Sequence, residues 1–223
     1  MNIASYIDHT ILKQTTSLDD VKKVCTEARE YGFAAVCIPP PFVTNAVALL
    51  KDSTVKVATV IGFPFGYSVA RAKVFEVQQA IQDGANELDV VINLIALKSG
   101  QWNYLENEMK WLVEAAHKNE RLIKVIIESG VLTNEEIIRC CELYAGMKVD
   151  YVKTSTGYAE KGATLEAVQL MREHLPSDIK IKASGGIRDY AFARSLVDAG
   201  AERLGCSAGV AIVKGENAGE GSY

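Results

Sequence analysis

Eight times along the chain, a short apolar run rich in β-branched residues gives way to a longer amphipathic stretch. That alternation restricts the possible folds more than any other feature of the sequence. The runs are Ile7–Leu12, Ala34–Pro39, Val55–Phe63, Glu87–Asn93, Leu122–Ser129, Asp150–Thr156, Ile179–Gly185 and Arg203–Ser207. Several stay apolar at successive positions, as at Val90, Val91 and Ile92, or Val125, Ile126 and Ile127. Parallel strands covered on both faces have this pattern, whereas half-exposed antiparallel strands alternate. Between the runs, apolar residues fall at helical spacing. Leu105, Met109, Leu112, Val113 and Ala116 share one face, as do Val74, Val77 and Ile81. Ser17 with Asp20, and Thr133 with Glu136, have the spacing of capping boxes that open helices. Gly32, Gly84, Gly146 and Gly200 stand where helices should stop before the next strand. Eight βα units joined by right-handed crossovers predict an α/β fold, a single-domain (β/α)8 TIM barrel.

The 223 residues suffice for one such domain with a full core. No linker or composition shift marks a second. Residues 1–214 are therefore assigned to the barrel, and residues 215–223, with three glycines, to a flexible tail. A net charge of −4 offers no global basic field to nucleic acid or an anionic membrane, so an anionic ligand would need a local site. The N-terminal stretch carries Asp8 and lacks an uninterrupted apolar segment, which argues against a signal peptide or membrane anchor. Five cysteines (Cys25, Cys37, Cys140, Cys141, Cys206) include no C-x-x-C pair. With only His9, His117 and His174 beside them, no zinc-ligand constellation forms. Reduced thiols in a cytoplasmic protein, with no metal or cofactor, are the simplest expectation.

In a barrel, groups at the C-terminal ends of the strands face the active site. That rule singles out Lys153 in Val-Lys-Thr-Ser-Thr-Gly (152–157) and Lys182 in Ile-Lys-Ala-Ser-Gly-Gly (181–186). They are 29 residues apart, one βα unit, and so belong on adjacent strands. Either lysine alone could pair with an acid; two entering one barrel mouth have a chemical use. Two unit charges about 5 Å apart at an effective dielectric near 20 repel by roughly 3 kcal/mol, which lowers one amine pKa by about two units. Desolvation lowers it further and leaves an amine able to attack a carbonyl near neutral pH. Asp89 in Glu-Leu-Asp-Val-Val-Ile-Asn (87–93), and Asp8 in the first run, are carboxylates placed to pair with such lysines or to move protons. Glycines cluster after the last strands, at Gly157, Gly185, Gly186 and in Leu-Gly-Cys-Ser-Ala-Gly (204–209), where barrels often hold a phosphate on backbone N–H groups. Cys37 reads as a small buried hydrophobe, and His9 as a packed residue of the barrel bottom or wall. His117 and His174 read as solvent-facing helix residues.

These segments resemble the deoxyribose-phosphate aldolase family along essentially the whole chain. The resemblance is carried, in order, by Ile-Asp-His-Thr-Ile-Leu-Lys, Val-Cys-Ile-Pro-Pro, Val-Ile-Gly-Phe-Pro-Phe-Gly, Glu-Leu-Asp-Val-Val-Ile-Asn, Val-Lys-Thr-Ser-Thr-Gly and Ile-Lys-Ala-Ser-Gly-Gly-Ile-Arg. It implies reversible cleavage of 2-deoxy-D-ribose 5-phosphate to D-glyceraldehyde 3-phosphate and acetaldehyde. It further implies that Lys153 is the Schiff-base nucleophile and Lys182 the lysine that perturbs it. Asp89 would be the proton donor or acceptor, with Asp8 in support. Gly157, Gly185, Gly186 and Ser207 match phosphate-binding positions, and Thr156 would line the pocket near the sugar. Some relatives carry a phosphate-binding lysine directly after the Thr-Gly; here Tyr158 occupies that position, with Lys161 nearby. A terminal tyrosine assists proton transfer in some relatives, a role that would fall to Tyr223. Relatives also form dimers or tetramers, so a homo-oligomer is implied.

Overall fold

A computed structural model of the chain describes residues 2–216. Eight strands, β1 (Ile7–Thr10), β2 (Ala35–Ile38), β3 (Lys56–Ile61), β4 (Glu87–Val91), β5 (Leu122–Ile126), β6 (Tyr151–Lys153), β7 (Lys180–Ser184) and β8 (Arg203–Cys206), pair in parallel and in order. β8 returns to β1, with Ile7 opposite Leu204 and Asp8 opposite Gly205, so the sheet closes into a barrel. Around it run α1 (Leu18–Tyr31), α2 (Val43–Leu49), α3 (Ala70–Gln82), α4 (Leu94–Lys98), α5 (Trp102–His117), α6 (Asn134–Ala145), α7 (Leu165–His174), α8 (Tyr190–Asp198) and α9 (Gly209–Lys214). Every strand lies inside its expected run, but the runs overshoot. β6 ends at Lys153, although the Thr154 N–H still donates to the Lys182 carbonyl at 3.0 Å; two residues on, the Thr156 N–H points instead to the Glu128 carboxylate, 3.1 Å away.

Local chemistry sets the helix ends. Ser17 with Asp20, and Thr133 with Glu136, form complete reciprocal capping boxes that open α1 and α6. Gly32 ends α1 in the left-handed conformation, φ +68°, which only glycine adopts without strain. Gly146 differs from that expectation. It caps α6 in right-handed geometry, φ −68°, and the left-handed residue of this turn is Lys148.

Side chains alternate across the barrel wall with period two. Val36, Ile38, Val57, Leu88, Val90, Ile123, Val125, Val152, Ile181 and Leu204 pack outward with the helices in the main apolar core. His9 also faces the wall, where its imidazole meets Glu27 of α1 at 2.7 Å and the Phe33 ring at 5.0 Å. His117 and His174 are exposed, and His117 reaches Asp150 at 2.9 Å. The inward positions of β2 and β3 form a small second apolar cluster, Cys37, Ala58 and Val60 with Leu12 and Phe63. On β1, β4, β5, β6, β7 and β8 the inward positions include Asp8, Glu87, Asp89, Lys124, Lys153, Lys182 and Arg203. The interior is apolar on one side and ionic on the other.

Candidate active site

Lys153 and Lys182 stand directly opposite one another across the β6–β7 ladder. The shaft of Lys182 has room because β8 carries Gly205 beside it; a Cβ there would come within 3.0 Å of Lys182 Cε. Both amines donate to one atom, Asp89 Oδ2, Lys153 at 2.8 Å and Lys182 at 2.7 Å. Their separation is therefore less than the sum of those two bonds, and water is nearly excluded from both. Lys182 also bonds Asp8 Oδ2 at 2.5 Å. The four groups singled out in the sequence, Lys153, Lys182, Asp89 and Asp8, thus meet in one place.

The electrostatics separate the two lysines. Burial lowers the Lys153 pKa most; the Asp89 carboxylate opposes it, the Lys182 charge adds to it, and the net shift is downward. Burial also works against the Lys182 ammonium, but Asp8 and Asp89 together outweigh it and hold that pKa above the ordinary value. The two shifts run in opposite directions, down at Lys153 and up at Lys182. Repulsion between them contributes, second to the loss of water. Asp89 and Asp8 stay well below the usual carboxylate range: burial favours their neutral forms, and the surrounding cations overcome it.

Three further charges, unremarked in the sequence, complete the cluster. Lys124 of β5 donates to Asp89 Oδ1 at 2.7 Å and lies 2.6 Å from Glu87. Arg203, at the start of β8, bonds Asp8 at 2.6 Å and Glu87 at 3.0 Å. The signal for Glu87 was its place two residues before Asp89, on the same strand face. Lys124, embedded in Leu-Ile-Lys-Val-Ile, showed the mark that singled out Lys153, a lysine inside a strand pattern. Glu128 was not legible. It takes a left-handed conformation, φ +56°, after β5 and accepts from both the N–H and the hydroxyl of Thr156. Thr156 is buried at the site, with its hydroxyl proton committed to Glu128.

Gly157, Gly185, Gly186 and Ser207 line one pocket of about 190 Å³, together with Arg188 and Glu160. Gly162 closes its wall; a Cβ there would lie 2.3 Å from the Gly185 carbonyl oxygen. Tyr158 and Lys161 do not line this pocket. The Tyr158 hydroxyl instead donates to the Leu12 carbonyl at 2.6 Å, and its ring stands edge-on to Phe63, tying the loop after β6 to the segment after β1. Tyr223 lies outside the described residues. A larger groove of about 620 Å³ between α3 and α5, beside Phe75 and Trp111, is on the outer surface. Among the described residues no group of His, Cys, Asp and Glu has the arrangement of a metal site, and no helix is long and apolar enough to cross a membrane.

A closed parallel barrel with a desolvated amine against a carboxylate, and a glycine-lined pocket after its last strands, defines a lyase of the barrel-aldolase class. The chain belongs to the DeoC/LacD aldolase family, whose sequence model matches residues 2–215. It is 49% identical over 223 residues to a deoxyribose-phosphate aldolase of Streptococcus pneumoniae serotype 2, covering 100% of both chains. To the deoxyribose-phosphate aldolase of Caldanaerobacter subterraneus subsp. tengcongensis it is 48% identical, covering 96% of this chain and 93% of that one. Among solved structures, a tetrameric deoxyribose phosphate aldolase from Aeropyrum pernix superposes with a TM-score of 0.89 at 32% identity, covering 95% of this chain and 89% of that one.

Proposed function

We propose that the chain reversibly cleaves 2-deoxy-D-ribose 5-phosphate to D-glyceraldehyde 3-phosphate and acetaldehyde through a Schiff base on Lys153. The observation that carries this reading is the buried Lys153 amine, pKa depressed, hydrogen-bonded to Asp89 beside a cation that stays charged. Only a neutral amine attacks a carbonyl carbon. The attack expels the carbonyl oxygen as water and leaves a protonated imine. Removal of the C3 hydroxyl proton then breaks the C2–C3 bond, and its electron pair moves toward the iminium nitrogen. Glyceraldehyde 3-phosphate departs. Protonation of the enamine at C2 and hydrolysis release acetaldehyde and regenerate the amine.

Asp89 is the proton donor and acceptor in this scheme, Lys182 the fixed charge beside it, and Asp8 the anchor of Lys182. The phosphate lies in the pocket of Gly157, Gly185, Gly186 and Ser207, and Thr156 borders the sugar. Positive φ angles at Gly157, Gly185 and Gly186 support this assignment, because turns of that kind can direct backbone N–H groups toward an anion. Residues 1–214 constitute the catalytic domain, a boundary supported by the left-handed Gly215 that ends α9. Tyr223 assists proton transfer from the tail. Self-association is supported by the tetrameric relative, and a cytoplasmic location by five free cysteines.

Borohydride added with substrate tests the mechanism. The expected result is a stable mass increase on the peptide carrying Lys153, and a loss of turnover of more than about a thousandfold in Lys153→Ala. A chelator should leave turnover intact, because the lysine supplies the electrophilic activation. Trapping at another lysine, or near-normal turnover in Lys153→Ala, would remove the proposal. The trapping rate should rise with pH through the Lys153 pKa, below the ordinary lysine range, because the reactive form is the deprotonated one.

A further inference from the structure

The ionic side of the barrel is one contiguous cluster of ion pairs. Lys124, Lys153, Lys182 and Arg203 supply four positive side chains; Asp8, Glu87 and Asp89 supply three carboxylates. The cluster therefore holds one cation in excess, and buried excess charge is unfavourable. Release of a single proton makes it neutral. Lys182 contacts two carboxylates, Lys124 three and Arg203 two; Lys153 contacts one, and shares that oxygen with Lys182. The least compensated cation is the one that gives up the proton.

We infer that Lys124, Glu87 and Arg203 are positioning residues that set the protonation of Lys153 through the charge balance of the barrel interior. Glu87 and Arg203 begin their strands at the end away from the site, and Lys124 is fully buried between Asp89 and Glu87. By taking up Asp89 Oδ1, Lys124 leaves Lys153 and Lys182 to share Oδ2. The groups facing Lys153 are Cys37 from β2, Asp89 from β4, Glu128 just beyond β5 and Lys182 from β7; Asp8, Glu87, Lys124 and Arg203 reach it through their ion pairs with Asp89, Lys182 and one another, and β3 offers only Ala58 and Val60. Glu128, bonded to Thr156, makes no ion pair with the cluster but lies within electrostatic reach of Lys153; burial favours its neutral form, and it is unchanged in all the variants below.

This inference rests on Lys153 being the imine-forming residue, and the test separates the two. Borohydride trapping by acetaldehyde is followed by peptide mass spectrometry across pH for wild type, Lys124→Met, Glu87→Gln and the double variant. Lys124→Met removes one cation, so Lys153 keeps its proton longer and the midpoint of trapping should move alkaline by about one to two pH units. Glu87→Gln removes an anion and should move it acid. The double variant restores an excess of one and should return it to within about half a unit of wild type. If Lys124→Met does not fold, the direction of the Glu87→Gln shift and the position of the double variant still decide. Wild-type trapping away from Lys153 would remove the functional reading itself. Trapping at Lys153 with unmoved midpoints, or with both single variants shifting the same way, would overturn this inference alone.

Discussion

At Lys153 the loss of water acts more strongly than the neighbouring ammonium, and Asp89 opposes both. The same dryness acts in the opposite direction on Cys37, the other nucleophilic side chain facing the pair. Burial pushes its thiol up to about 11, so it stays protonated at neutral pH. Cys37→Ala is accordingly expected to keep kcat/KM within about threefold of wild type, since the thiolate population it removes is negligible. Steady-state kinetics at neutral pH check this, and a hundredfold loss would mean that the sulfur takes part. Lys153, Lys182, Asp89 and Asp8 were legible in the sequence because a charge inside a buried strand pattern needs a reason. Arg203 was not, because a charge at the first residue of a strand is commonplace. The Tyr158–Leu12 link spans 146 positions and has no sequence signature.

Among the elements, strand phase and capping chemistry were readable because both are local: side chains two apart share a face, and a capping box spans four residues. Pairing between helices was hidden. Val74, Val77 and Ile81 marked the inner face of α3, yet Lys73, beside them, is fully buried. Its ammonium donates to Glu108 of α5 at 3.0 Å and to the Val91 carbonyl at the end of β4 at 2.8 Å. This ion pair fastens two helices to the strand that carries Asp89. Lys73→Met would strand the Glu108 carboxylate in an apolar setting, and a loss of about 3 kcal/mol is expected in urea unfolding. Combining it with Glu108→Leu should recover most of that loss, because no uncompensated charge remains. A double variant no more stable than Lys73→Met would show that the lysine contributes through packing.

For the molecule as a whole, eight successive βα units made closure legible, while the charge count inside the ring needed all the strands in place. The site draws on β1, β4, β5, β6, β7 and β8, so no part of the barrel holds it alone. Imine trapping at Lys153 and far-ultraviolet circular dichroism are therefore expected to vanish at one urea midpoint. Trapping lost at a clearly lower concentration would show the interior opening before the sheet does.

Asp8 lies 174 positions from Lys182 and 195 from Arg203, and both contacts depend on the last strand meeting the first. A chain cut before β8 would lack Arg203 and the wall that brings Asp8 to Lys182. Its Lys153 would stand in water, mostly as the ammonium. The chemistry of this amine is thus a property of the finished circle of strands.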